Sequence, residues 1–232
     1  MRNDPQRPRR FRTEAEAAAT LNHPHIATIH SIEEANGQVF IVMEHVDGLT
    51  LSERIPNGGL DTHQFLDWFI PLADALSHAH DHGRIHRDLK PANLMIRQDG
   101  TPKILDFGLA RIVEPAQDVA ASDSAQVVDS EAPTITMTTE EQGMANPTQG
   151  DQLVGTPLYM SPEQAGQKEI DHRTDLFSFG VVMYEALTGR RPFQGETLAA
   201  KIGSILKEEP QPIRALKPDA PYMLEWLITV IV

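Results

Sequence analysis

Asp88, Lys90 and Asn93 sit close together in the stretch IHRDLKPANLM, Ile85 to Met95, and Asp106 follows thirteen positions after Asn93. These residue types match the needs of phosphoryl transfer from a nucleotide. A carboxylate must orient an attacking hydroxyl and take its proton, oxygen ligands must hold Mg²⁺ on the phosphates, and a cation must offset the negative charge that builds in the transition state. Mg²⁺ takes few protein ligands and keeps several waters, so one Asp and one Asn suffice. On this reading Asp88 serves the hydroxyl, Asn93 and Asp106 the metal, and Lys90 the charge. Upstream, the usual means of gripping phosphates is missing: Lys90 is the first lysine of the chain, and no glycine precedes Gly37.

Such a set needs elements to position it. Phe11 to Leu21 is rich in Ala and Glu and reads as a helix that Asn22-His23-Pro24 stops. Ile26 to Ile32 and Gln38 to Val42 read as a hairpin around Asn36-Gly37, followed by a polar break at Val46-Asp47-Gly48. Asp61 to His80 carries Phe65, Phe69, Leu72, Ala73 and Leu76 at helical spacing; Pro71 should kink this helix and Gly83 should end it. A second hairpin, Leu94 to Ile96 with Lys103 to Leu105, is expected around Asp99-Gly100, so the loop bearing Asp88 runs from a helix into a strand and Asp106 follows the partner strand. Leu176 to Leu187, bounded by Gly189 and Pro192, reads as a buried core helix, and Leu198 to Leu206 as another. The order is helix, hairpin, then mostly helices with one small inserted hairpin, an α+β arrangement and not alternating βαβ.

Four motifs in sequence carry a resemblance to a known family. HRDLKPAN (His86–Asn93), DFG (Asp106–Gly108), GTPLYMSPEQ (Gly155–Gln164) and DHRTDLFSFGVVMYEALTGRRPF (Asp171–Phe193) resemble, in this order, the motifs of eukaryotic-type protein kinases, and most closely the bacterial Ser/Thr kinases. The resemblance implies a two-lobed fold, with 1–46 as part of the N-lobe and 47–232 as the C-lobe. It implies ATP and Mg²⁺ as cofactors. It places Met43 as gatekeeper, Glu44 to Val46 against adenine through the backbone, and Met95 beneath the adenine. FRTEAEAAATLNHPHI looks like the family's helix C, with Glu14 as the partner of an ATP-binding lysine. Thr156 occupies the place of a threonine that supports the Asp88–Lys90 pair, and this threonine with Lys90 favours Ser and Thr hydroxyls as acceptors. Asp175 takes the position that pins the catalytic-loop backbone. His86, Phe107 and Gly108 complete their motifs, and Glu163 follows Ser161, which stands where the family has Ala.

Arg87 needs a counter-charge, which a phosphorylated activation loop supplies in such kinases. Thr134, Thr136, Thr138, Thr139 and Thr148 are the candidate sites. They lie in an insertion, about 113–152, whose ionisable groups are all acidic and which contains no aromatic residue, so it reads as disordered. The family's Gly-rich loop and strand lysine find no place before Phe11, and the arginine that partners Glu163 would lie beyond Val232. The expected chain is therefore a kinase domain lacking both ends and weak or inactive as it stands, with a pseudokinase-like interaction module as the alternative.

Composition limits the other readings. The net charge of −13 argues against general nucleic-acid binding. With no cysteine, disulfides and thiolate metal sites are excluded, and the chain is compatible with a reducing, cytoplasmic setting. The arginines of the first twelve residues have no apolar run behind them and read as a solvated lead-in, not a secretory signal. Trp226 to Val232 reads as an amphipathic core helix, too short to span a bilayer, so no membrane contact is expected within this chain. His78, His80 and His82 follow one another at i, i+2, so successive members face different sides of a helix, and with His86 they make a poor arrangement for chelation. The expected partners are protein substrates with Ser or Thr acceptors, and a second copy of the chain for autophosphorylation.

Overall fold

The computed structural model describes residues 21–35, 38–107, 157–166 and 168–232. The helix read over Phe11 to Leu21, apart from its last residue, the turn at Asn36-Gly37 and the acidic insertion lie outside the described residues.

β1 (Ile29–Ala35) and β2 (Gln38–Met43) form an antiparallel pair in which Ile32 faces Ile41 and Ala35 faces Gln38. The hairpin expected from Ile26 thus begins later. Ile26 makes an isolated parallel bridge to Ile104 of another sheet, which takes its backbone out of the β1 ladder. That second sheet has the order β3 (Gly48–Thr50), β4 (Leu94–Arg97), β5 (Pro102–Ile104), all antiparallel. The expected hairpin of β4 and β5 is present, with Gly100 at φ 88° in its turn. Gly48 corrects the reading of a polar break, because it starts a strand. A Cβ there would stand 2.2 Å from the Ile96 carbonyl oxygen, so only glycine lets β3 approach β4 this closely.

A short α1 (Leu51–Arg54) leads to α2 (Thr62–Asp81). Asp61 caps α2, its Oδ1 accepting the Gln64 N–H at 3.0 Å. Phe65, Trp68, Phe69, Leu72, Ala75, Leu76 and Ala79 make its buried stripe. The helix runs on as one element through Pro71. Pro71 removes one backbone donor, and Trp68 and Phe69 before it and Leu72 and Ala75 after it are held in the same core, which supports the helix on both sides of the proline. Asp61→Ala is expected to lower stability by about 1 kcal/mol, read from the midpoint of urea unfolding; an unchanged midpoint would show the cap to be redundant.

α4 (Arg173–Thr188), which follows a four-residue α3 (Pro162–Ala165), is buried on nearly every side and forms the centre of the core. A helix apolar all round belongs inside. Phe69 of α2 packs on Phe179 with ring centroids 5.5 Å apart. Gly189, at φ 71°, ends α4 and donates its N–H to the Glu185 carbonyl. α5 (Leu198–Lys207), α6 (Ile213–Leu216) and α7 (Tyr222–Ile231) complete the described chain. Ile228 of α7 is buried against the core, but Trp226, Leu227 and Val230 are 51%, 42% and 66% exposed, so the expected core helix is core along one side only. No helix among the described residues is long and apolar enough to cross a membrane.

Candidate active site

The loop that carries Asp88 begins where α2 ends. Gly83, at φ 69°, donates to the His80 carbonyl at 2.8 Å, and Arg84 N–H returns to Ala79 O at 2.9 Å, which turns the chain out of the helix. Asp175, in the first turn of α4 and 0% exposed, holds the next segment. Its Oδ2 accepts the His86 N–H at 2.7 Å and its Oδ1 accepts the Arg87 N–H at 2.8 Å. His80 Nε2 lies 2.8 Å from Oδ2, so α2 and α4 meet on the same carboxylate. Arg87 has φ 69°, a left-handed backbone that only strong local bonding maintains in a residue with a side chain.

His86 is 1% exposed and ties this loop to the segment before Asp106. Its Nδ1 accepts the Asp88 N–H at 3.3 Å, so Nε2 carries the proton and donates to the Leu105 carbonyl at 2.8 Å. Its ring meets Phe107 edge-on at 5.0 Å. Leu105 N–H in turn donates to Asn93 O at 2.8 Å, and Asp106, at φ 56°, follows directly.

Three polar groups meet at Asp88. Lys90 Nζ is 2.6 Å from its Oδ2, and Asn93 Nδ2 is 2.8 Å from its carbonyl oxygen and 3.3 Å from the same Oδ2. The 3₁₀ turn Pro91–Asn93, closed by Asn93 N–H on Lys90 O, sets these spacings. The Asp88 side chain is 38% exposed and that of Lys90 21%, so the carboxylate is open to a ligand. Because the Asn93 amide nitrogen is used on Asp88, its Oδ1 is left to accept from or coordinate an outside group. Asn93 Oδ1 and the Asp106 carboxylate are therefore hard oxygen donors of the kind Mg²⁺ takes.

A second cluster lies at the end of β2. Met43 is its last residue, and Glu44 N–H donates to Thr28 O at 2.7 Å. Glu44 Oε2 accepts from Thr28 N–H at 3.2 Å and from Lys103 Nζ at 2.8 Å. Burial pushes the Glu44 carboxyl up, but Lys103, Thr28 and Arg97 together outweigh it and hold it below the usual carboxylate range. Val46 is buried, and Met95 of β4 lies between Thr50 and Lys103 in the sheet.

The segment after residue 156 packs on the same loop. Ser161 caps α3 in a reciprocal box with Gln164, whose Nε2 also donates to Arg87 O at 2.7 Å. Glu163 Oε1 accepts from Thr174 Oγ1 at 2.6 Å, one residue before Asp175. Tyr159 donates to Glu185 at 2.5 Å; burial and this carboxylate raise the phenol well above its ordinary range.

The structure thus brings together Asp88, Lys90, Asn93, Asp106, His86, Arg87, Phe107, Glu163 and Asp175. Glu14, Gly108, Thr156 and the threonines Thr134, Thr136, Thr138, Thr139 and Thr148 lie outside the described residues. Of the four histidines, His80 and His86 serve Asp175 and Leu105, while His82 Nδ1 sits 2.7 Å from His78 O. Among the described residues no three His, Asp or Glu side chains are placed to share a metal ion. The roles of His80, Lys103, Gln164 and Thr174 escaped the sequence reading. His80 entered that reading only as one of a series of histidines, and Lys103 only as the start of a strand.

Comparison with known proteins agrees with this geometry. The family model described as protein kinase domain matches residues 1–229. Serine/threonine-protein kinase PknB of Mycolicibacterium smegmatis is 37% identical over 214 residues, 90% of this chain and 30% of that protein. A probable serine/threonine-protein kinase of Streptomyces coelicolor is 37% identical over 221 residues, 93% of this chain and 29% of its own length. A probable serine/threonine-protein kinase PknB of Bifidobacterium longum is 38% identical over 224 residues, 92% of this chain and 29% of its own length. The chain therefore spans less than a third of the length of these relatives. With the family model matched from residue 1 to residue 229 and the site built on Asp88, Asn93 and Asp106, the chain belongs to the protein kinase domain family.

Proposed function

We propose that this chain is the catalytic part of a Ser/Thr protein kinase, moving the γ-phosphoryl group of ATP to a Ser or Thr hydroxyl of a protein. The observation that carries the reading is the convergence of Lys90 and Asn93 on the Asp88 carboxylate, on a loop that His86 and Asn93 tie to the segment bearing Asp106. Asp88 orients the acceptor hydroxyl and takes its proton. Lys90, held on Asp88, stands beside the place where the γ-phosphate is attacked. Asn93, through Oδ1, and Asp106, through its carboxylate, would hold Mg²⁺, which when bound to the nucleotide offsets charge on the phosphates. The backbone of Glu44 to Val46, with Met43 and Met95, would meet the adenine. Thr156 supports Asp88 and Lys90, and phosphate on one of the insertion's threonines neutralises Arg87. Residues 1–46 and 47–232 are the two lobes. The substrates are proteins, including a second copy of this chain, and the chain acts in the cytoplasm without nucleic acid or membrane contact.

The alternative reading is a pseudokinase-like module that binds partner proteins without turnover.

Thermal unfolding with and without Mg-ATP separates the two. At about one hundred times Kd a bound nucleotide stabilises by about 2.7 kcal/mol, which for a domain of this size raises Tm by about 5–10 °C. Asp106→Asn is expected to abolish that rise. No rise in the parent, together with no autophosphorylation, would rule out the catalytic reading.

A further inference from the structure

We infer that the Lys103–Glu44 ion pair is a positioning clamp that sets the spacing between the adenine-contacting and metal-holding halves of the nucleotide site, an inference that rests on the nucleotide-binding reading above. Among the described residues the two small sheets are separate: β1 pairs only with β2, and β3, β4 and β5 pair among themselves. Glu44 directly follows the first sheet, and Asp106 stands two residues after the end of the second. Among the described residues the ladder between the sheets is limited to the Ile26–Ile104 bridge, where Ala27 N–H donates to Ile104 O at 2.9 Å and Ile104 N–H to His25 O at 2.8 Å. That bridge holds residues 25–27 on β5, but it reaches the chain after β2 only indirectly, through the Thr28 bonds to Glu44.

Lys103 closes this gap. It is the middle residue of β5, it is 6% exposed, and its Nζ reaches Glu44 Oε2 at 2.8 Å and Ile26 O at 3.4 Å. Glu44 is fixed from its other side by both Thr28 bonds. One ammonium thereby joins β5, the residue after β2 and the segment before β1. Stability alone gives no reason for the pair, since apolar side chains of similar volume at both positions commonly replace a buried ion pair without loss. What a methionine at 103 would not supply is the directed link to Glu44.

The clamp makes a distinctive demand on ligands. A nucleotide that reaches from Glu44 at one end to Asn93 and Asp106 at the other is sensitive to the spacing of the two ends. Adenosine, which touches only the first, is not. A residue with a merely structural role would weaken both ligands alike.

The test is calorimetric titration of the parent chain and of Lys103→Met with Mg-ATP and, separately, with adenosine. The expected result is about tenfold weaker Mg-ATP binding with adenosine affinity unchanged, within the range by which residues that touch no ligand alter coupled sites. Glu44→Gln should weaken Mg-ATP binding in the same direction, and the double variant should bind Mg-ATP no worse than either single one. If Lys103→Met fails to fold, Lys103→Gln, which removes the ammonium but keeps a polar end, carries the same comparison. Unchanged Mg-ATP affinity in a variant whose parent binds it overturns the clamp alone, as does equal weakening of both ligands. A parent chain that binds no Mg-ATP overturns the nucleotide reading, and the clamp with it.

Discussion

Asp175→Ala is expected to destabilise the domain by about 3–5 kcal/mol, a large part of the roughly 5–15 kcal/mol that holds an ordinary domain folded. The carboxylate is 0% exposed, and both of its oxygens are engaged, by His86 N–H and Arg87 N–H at 2.7 and 2.8 Å and by His80. Truncation leaves these donors facing a small cavity, and a buried donor without an acceptor costs about 1–3 kcal/mol. The left-handed backbone of Arg87 adds to the loss, because it stores strain that the bond to Asp175 helps to offset, together with Gln164 on the Arg87 carbonyl. Asp175→Asn, which keeps one acceptor oxygen, should lose clearly less. Urea unfolding of the two variants is the measurement. A midpoint for Asp175→Ala that places it within about 1 kcal/mol of the parent would mean that the loop is held by something else.

That prediction shows which part of the fold could be read from the sequence. Asp175 was placed there by resemblance, but the regular elements around it follow from local physics. α2 declares itself by a cap at Asp61 and an apolar stripe from Phe65 to Ala79, and α4 by an apolar run that stops at Gly189. The β4–β5 hairpin rests on Asp99-Gly100, a turn whose geometry glycine makes accessible. In each case the residues that determine the element lie within it or next to it.

Other features depend on partners far away in the chain. Gly48 starts a strand only because Ile96, across the sheet, lets a residue without a side chain approach, so locally the stretch resembles a break. Pro71 signals a weakened helix in isolation, and the burial of its neighbours on both sides supports one continuous element through it. Trp226, Leu227 and Val230 carry a strong apolar signal, but periodicity cannot say whether a partner covers that face, and among the described residues these side chains remain exposed. The links at the site are of the same kind. His80 reaches Asp175 across 95 positions, Lys103 reaches Glu44 across 59, and Gln164 reaches the Arg87 carbonyl across 77. No window of sequence contains both ends of such a bond. The motifs identified the residues proposed to touch a ligand and Asp175 among those that hold them, but left unseen the supporting roles of His80, Lys103 and Gln164.

Asp88→Asn tests the chemistry with the structure left nearly intact. Asparagine keeps the size of the side chain and still offers an oxygen to Lys90, 2.6 Å away in the parent, but it cannot accept a proton. A positioned general base contributes about 10²–10⁴-fold, so transfer to a Ser- or Thr-containing protein should fall by about that factor in kcat. KM for Mg-ATP should change little, because the oxygens assigned to the metal belong to Asn93 and Asp106 and the loop backbone remains tied to Asp175. A fall shared equally between kcat and Mg-ATP affinity would instead point to collapse of the loop, which Asp175→Asn would reproduce and Asp88→Asn should not. Lys90→Met in the Asp88→Asn background supplies the final check. If Lys90 acts through its contact with Asp88, the second change should cost far less than it does alone, since groups that act as a unit are not additive. Independent losses from the two changes would assign Lys90 a separate role on the phosphate, and an Asp88→Asn variant within tenfold of the parent would remove Asp88 from the chemistry.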